Sequence, residues 1–206
     1  MRRDVDLVTV LDPMAYPWPV EIQDGLLSGN TFEPGASTPT TGRVLVVAVG
    51  SNANPAVLAR KLLDAGVVPQ VTFAGCTLQN LGVGHSAHRN PRGYIPAAPF
   101  HLAGSVKRLT ATWLDPTELR ALDATEPNYT RIRVRGSDYP LMLDAGDAPA
   151  TFDVYESRRG VLGRSGVPPL DLMPQRELQR VRATSALLAD HSGIAPAQRV
   201  TERRRR

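Results

Sequence analysis

Residues 44–62 read VLVVAVGSNANPAVLARKL. The first six, Val44 to Val49, are apolar without polar alternation, which predicts a strand buried on both faces. Gly50, Ser51 and Asn52 then turn the chain, and a helix starts at once. Asn54 stands as its N-cap and Pro55 at its first position; Val57, Leu58 and Leu62 share one face, and Gly66 is the stop. A glycine permits a sharp turn and close approach of a ligand, and a helix start offers unpaired N–H groups and a positive dipole end. The segment is therefore a candidate site for a carboxylate, a phosphate or a developing oxyanion. It is not a Walker A loop, because the glycine, lysine and hydroxyl residues of that motif are missing, and Ser51 does not sit in a G-x-S-x-G elbow. An ordinary strand-to-helix connection remains the alternative.

Working outward, strand signals dominate. Residues 71–74, 78–83, 106–114, 131–135, 141–143 and 151–155 read as further strands. In the fourth of these segments, 131–135 in full, Ile132 and Val134 alternate with Arg131, Arg133 and Arg135, so one face is apolar and the other cationic. Asp115, Pro116 and Glu118 begin a second helix by the same cap-then-proline device, with Glu118 at the capping-box position. A third helix is expected over 174–190, with Leu178, Val181 and Leu188 inward. Many strands with few, separated helices predict an α+β fold: a small mixed β-barrel with short helices packed outside it. The expected organisation is a Pro/Gly-rich N-terminal extension over 1–42, a barrel domain over 43–157, and a C-terminal helix with an Arg-rich tail over 158–206. No internal repeat is present.

The 206 residues, 42% of them hydrophobic, suit one domain with a proper core. The longest uncharged apolar run is far short of the ~20 residues a spanning helix needs, and the N-terminus MRRDVDLVTVLDP has acids where a signal peptide has an apolar core. A soluble, cytoplasmic protein without a membrane partner is expected. Cys76 is the only cysteine, which excludes an internal disulfide and a cysteine zinc cluster; it reads as a small hydrophobe on a strand. Arg2, Arg3 and Arg203 to Arg206 are six of the 24 basic residues, so the remainder has 18 bases against 20 acids. The net charge of +4 thus belongs to the tips of the chain, and the body offers no basic, aromatic-interleaved face for nucleic acid. The tail is left with weak, salt-sensitive attraction to polyanions.

A second candidate site is LDATEPNYTR at 122–131. Glu126 follows a short helix, and Pro127 disfavours a helical backbone at Glu126 itself, so the acid is presented at a bend. A solvated loop glutamate is the plain reading; partial burial would make it a general base. His85 and His88 lie three apart, but glycines and Pro91 argue against a shared helical face and no third ligand is evident, so no metal site is expected. Arg89 and Arg92 lie in the same loop, Trp113 and Tyr155 on strands.

Together, VGSN at 49–52 and LDATEPNYTR at 122–131 resemble the gamma-glutamyl cyclotransferase-like family, whose first strand ends in a Tyr-Gly-Ser-Asn turn and which later has Leu-Asp-x-x-Glu followed by a Tyr. The intervening YIPAAPFHLAGSVKRLTATWLDPTEL also looks like that family's middle, and the likeness spans about residues 43–157. It implies a small β-barrel and a cofactor-free reaction in which a gamma-glutamyl amide releases an amine or amino acid as the glutamyl part closes to 5-oxoproline. By the same resemblance Glu126 is the general acid/base, the backbone at Gly50, Ser51 and Asn52 holds the glutamyl carboxylate or oxyanion, and Tyr129 orients Glu126 or substrate. This chain departs from the family at Val49, where the tyrosine stands. That departure keeps a second reading open: a catalytically silent small-molecule-binding module on the same fold.

Overall fold

The computed structural model describes residues 3–5, 11–18, 21–163, 169–184 and 200. Nine strands form one mixed sheet: β1 (Arg3–Asp4), β2 (Gly25–Ser28), β3 (Thr31–Pro34), β4 (Val44–Ala48), β5 (Gln70–His85), β6 (Ala97–Leu114), β7 (Tyr129–Arg135), β8 (Leu141–Leu143) and β9 (Thr151–Ser157). Their order is β1-β3-β2-β5-β6-β4-β9-β7, with β8 on β5. The β4–β9 pair is parallel and the others antiparallel. The helices are α1 (Pro55–Asp64), α2 (Pro116–Ala124) and α3 (Gln175–Thr184). The class is α+β, as expected.

β4 explains why α1 and α2 sit where they do. Leu45 and Val47 enter one core cluster, with Cys76, Leu78, Val134 and Val154; Val46 enters the other, with Leu58, Leu62, Leu114, Leu119 and Leu122. The strand is thus buried on both faces, and the second face is covered by α1 and α2. The Asn54 side chain accepts from Ala56 N (2.9 Å) and Val57 N (3.4 Å), while Asp115 and Glu118 form a complete capping box on α2. Both helix starts follow their sequence signals.

The barrel is not closed. Its end strands, β1 and β7, do not pair. The outer edge of β5 is already filled, by β2 along 70–73 and by β8 along 76–78. β7 instead turns at its end, where Asp138 N and Tyr139 N donate to Arg135 O, and the chain crosses to β8, Pro140 O accepting from Gln79 N (2.9 Å). Residues 136–140 span at most about 20 Å. The sheet therefore curls until its far edge lies within that reach of β5, and stops there.

Two further differences concern strand extent. The segments expected at 71–74 and 78–83 are one strand, β5, whose ladder with β6 shifts register between Gln79 and Leu81, at Asn80 with φ 62°. Its glycines are close-packing positions: a Cβ on Gly82 would come 2.5 Å from the Phe100 ring, and one on Gly84 2.7 Å from Leu170 O. The segment expected as an extension, 1–42, contributes β2 and β3 to the sheet and buries Tyr16 and Trp18. Leu178 on α3 is buried; residues 185–190 and the Arg-rich tail, 203–206, lie outside the described residues. No helix among the described residues is long and apolar enough to cross a membrane.

Candidate functional site

β4 ends against a cavity of about 350 Å³, within the range of small-molecule sites. Gly50, Ser51, Asn52, Glu126 and Tyr129 all line it. All five residues singled out in the sequence therefore meet at one place, although the two segments are over 70 residues apart.

The turn is shaped by a neighbour that no local pattern announces. A Cβ on Gly50 would lie 2.9 Å from the Tyr16 hydroxyl and 3.1 Å from Ala97 Cβ, so only glycine lets that phenol approach the backbone. Tyr16 Oη accepts from Ala97 N (2.8 Å), and Tyr129 donates its hydroxyl to Ala97 O (2.8 Å). Two phenols thus bracket one residue of β6. After Gly50 a 3-10 turn, Ser51–Ala53, leads to α1. The first N–H groups of α1 belong to Asn54 and are not open to a ligand, contrary to expectation. Among the described residues, the N–H groups of Gly50, Ser51 and Asn52 have no acceptor.

Glu126 sits in the turn after α2, where Tyr129 N donates to Glu126 O (2.9 Å). Its carboxylate is 13% exposed. Oε1 accepts from Asn52 Nδ2 (3.0 Å) and from Lys61 Nζ (2.6 Å), and Lys61 Nζ also donates to Asn52 Oδ1 (2.7 Å). The three side chains close a ring that ties turn, helix and acid together. Lys61 did not stand out in the sequence. Its signal is its place on α1, four residues after buried Val57 and three after buried Leu58, which turns it toward the sheet and not toward water.

The phenols around Glu126 are held neutral. Burial, then the neighbouring Tyr16 and Glu126, raise Tyr129 well above a tyrosine's ordinary range. Burial likewise raises Tyr16 and Tyr94, with Glu126 adding to both. Tyr16 and Tyr94 stack with centroids 4.5 Å apart, and Trp18 stands edge-on to each. The cavity wall is therefore aromatic, with hydroxyls that remain O–H groups at neutral pH.

Cationic groups complete the lining: Arg60 and Arg92 face the same cavity, and among the described residues neither has an ion-pair partner. Arg89 is exposed and does not line it. His85 and His88 diverge. His85 is fully buried and its Nε2 accepts from Met173 N (3.1 Å), whereas His88 lines the cavity with Nδ1 bonded to Ser86 Oγ (2.7 Å). No cluster of three or more metal-ligating His, Cys, Asp or Glu occurs among the described residues. Burial pushes the Cys76 thiol up to about 12, which suits a packed side chain and not a nucleophile. The cationic stripe of β7 is met by acids, Arg131 on Asp123 (2.9 Å) and Asp153 (2.5 Å), Arg133 on Asp153 (2.9 Å).

No family model matches the chain, and no curated protein does. Solved structures similar to it include the solution structure of At5g39720.1 from Arabidopsis thaliana, 16% identical, covering 72% of this chain and 88% of that one with a TM-score of 0.45. A second Arabidopsis thaliana protein, At3g28950.1, is 18% identical over 72% of this chain and 78% of its own, with a TM-score of 0.44. A gamma-glutamyl cyclotransferase is 19% identical over 56% of this chain and 66% of its own, with a TM-score of 0.39.

Proposed function

We propose that this cavity carries out a gamma-glutamyl cyclotransferase-type reaction in the cytoplasm, without a cofactor: a gamma-glutamyl amide closes to 5-oxoproline and releases an amine or amino acid. The observation that supports it most is the convergence of Glu126 with the 50–52 turn, joined by the 3.0 Å Asn52–Glu126 bond, at one small-molecule cavity.

The substrate's own α-amino nitrogen is the nucleophile, so no acylated serine or cysteine is needed. Formation of a five-membered ring already has proximity in its favour. Glu126 takes a proton from the α-ammonium, the nitrogen attacks the γ-carbonyl carbon, and the C–N bond to the leaving group breaks as its nitrogen is protonated. Backbone N–H groups of Gly50, Ser51 and Asn52 receive the glutamyl carboxylate or the oxyanion. Tyr129 positions Glu126 and substrate, and Arg60 and Arg92 supply charge for substrate carboxylates. Where the family turn begins with tyrosine and this chain has Val49, the Tyr16 hydroxyl stands beside Gly50, so the pocket keeps a phenol from another part of the chain.

A second reading has its own observation. Lys61 places an ammonium 2.6 Å from Glu126 Oε1, where a substrate ammonium would otherwise bind, and this favours a silent binding module. Screening gamma-glutamyl amino acids and amines for 5-oxoproline release separates the two. Release supports the enzyme; binding of a gamma-glutamyl compound without release supports the module.

A further inference from the structure

The proposed reaction moves two protons, not one. The substrate enters with an α-NH₃⁺ group, and the lactam nitrogen keeps a single hydrogen; the leaving nitrogen starts as an amide N–H and departs as an ammonium. One C–N bond forms, one breaks, nothing is oxidised, and two protons pass from the first nitrogen to the second. Glu126 can hold one of them. Its Oε1 is already engaged by Asn52 and Lys61.

A second group with the right chemistry faces the same cavity. His88 is half-buried, its ring stands edge-on to Tyr129 with centroids 5.7 Å apart, and it lines the same cavity as Glu126. Nδ1 is 2.7 Å from Ser86 Oγ, Ser86 Oγ is 2.6 Å from Ser157 Oγ, and Ser157 Oγ accepts from Arg159 N (3.1 Å). Both serines are buried and neither lines the cavity, so neither is a nucleophile. Their role is to fix the imidazole. With Nδ1 committed to Ser86, Nε2 is the nitrogen left for a ligand. The serine hydroxyls can turn so that Nδ1–H donates to Ser86 Oγ and Ser86 Oγ–H to Ser157 Oγ, which also accepts from Arg159 N; this leaves the Nε2 lone pair free in the neutral ring and holds equally when the ring is protonated.

Resting on the cyclotransferase reading, we infer that His88 is a second proton carrier, which takes the second proton from the α-nitrogen and delivers it to the departing nitrogen. Burial, followed by the charge of Arg159, lowers the His88 pKa from its ordinary value, with Glu126 opposing. Tyr129, Ser86 and Ser157 add no charge, since the phenol stays protonated. The ring is therefore neutral at pH 7 and free to accept a proton.

The test is 5-oxoproline release by the unmutated protein, His88→Gln and His88→Ala across pH 5 to 8, with and without added imidazole. General acid-base carriers typically contribute ~10²–10⁴-fold, and His88→Gln is expected to lose about 10²-fold in kcat with KM little changed. His88→Ala should regain activity as imidazole is added, which a structural histidine would not allow. Should the variants fail to fold, a histidine-acylating reagent on the unmutated protein replaces them: label at His88 with loss of activity, both prevented by substrate, supports the inference. Full activity in His88→Gln, no imidazole rescue, or labelling of His88 without loss overturns it and leaves the cyclotransferase reading intact. No release from any gamma-glutamyl compound by the unmutated protein overturns both.

Discussion

The two ends of α2 each carry a glutamate, and the two are put to opposite uses. Glu118, at the start, is 1% exposed and both its oxygens are taken: Oε1 accepts from Gln70 N (2.6 Å), Oε2 from Arg43 (2.9 Å) and from Asp115 N (2.8 Å). Glu126, just past the end, receives both its bonds on Oε1, and among the described residues Oε2 has no partner. One carboxylate is enclosed by three donors, two of them backbone N–H groups that cannot leave. The other is held by two side chains that can, with an oxygen turned over to a cavity. Burial of an acid alone does not mark function; what separates the two is whether its donors leave an oxygen available.

The largest expected effect falls on the open acid. Glu126→Gln keeps the shape and the Asn52 contact but removes the base, so 5-oxoproline release should fall by about 10²–10⁴-fold with little change in melting temperature. Ser51→Ala should do far less, because the turn acts through backbone N–H groups that remain. Near-complete loss in Ser51→Ala with little in Glu126→Gln would break the comparison and point to a serine nucleophile.

Glu118→Gln should show the reverse pattern. Breaking a buried pair costs about 3–5 kcal/mol when the remaining charge is left uncompensated. Arg43 is 14% exposed and retains some water, so about 3 kcal/mol, the low end, is expected in denaturant unfolding, with release unchanged in folded protein. A loss of activity without a loss of stability would show that the enclosed acid reaches the chemistry.

The same contrast recurs in the histidines. His85 is fully buried, and Nδ1 has no hydrogen-bond partner among the described residues. Burial lowers its pKa from 6.5 to about 4, the Ile95 backbone opposing. The unfolded chain then binds a proton the folded chain refuses, so its contribution to stability is whole above pH 6.5 and is lost as pH falls toward 4. At ~1.36 kcal/mol per unit this amounts to up to about 3 kcal/mol. Unfolding measured from pH 7 to pH 4 should therefore show a smaller acid loss in His85→Gln than in the unmutated protein; identical pH dependence would remove His85 from the account.

What was legible in the sequence is what is local. The burial of β4 on both faces, the Asn54 and Asp115 caps and the bend at Glu126 each rest on residues within a few positions of one another, where propensity and periodicity act. From sequence β5 reads as two strands because Gly75 interrupts its apolar run, yet Gly75 stays in the ladder opposite Thr110; the register shift at Asn80 and the Phe100 ring over Gly82 likewise lie across the ladder in β6. Tyr16 is bonded to a residue 81 positions away and sits in a Pro-rich stretch with no periodicity, so nothing near it in the chain announces a pocket wall. The open seam between β7 and β8 is likewise decided by which edge of β5 is already filled.

The smallest effect is expected at Lys61, and it bears on the difference between the two glutamates directly. Its ion pair with Glu126 is part-exposed, 22% and 13%, and pairs of this kind contribute about 0.2–1 kcal/mol, so Lys61→Met should lower stability by no more than about that. Its effect on turnover depends on which oxygen the substrate ammonium uses. If Oε2 receives it, Lys61 and Asn52 together hold Oε1 and keep the carboxylate aimed; losing Lys61 then leaves one of two tethers, and kcat should fall by about tenfold or less, a cost near 1.4 kcal/mol, with KM nearly unchanged. That is the outcome expected from the open oxygen. If instead the ammonium must take Oε1, Lys61 stands in its place, and Lys61→Met should lower KM and raise activity. A gain of this kind would mean that Glu126 resembles Glu118 after all, an acid satisfied by the protein's own cation, and would favour the silent module for the unmutated chain.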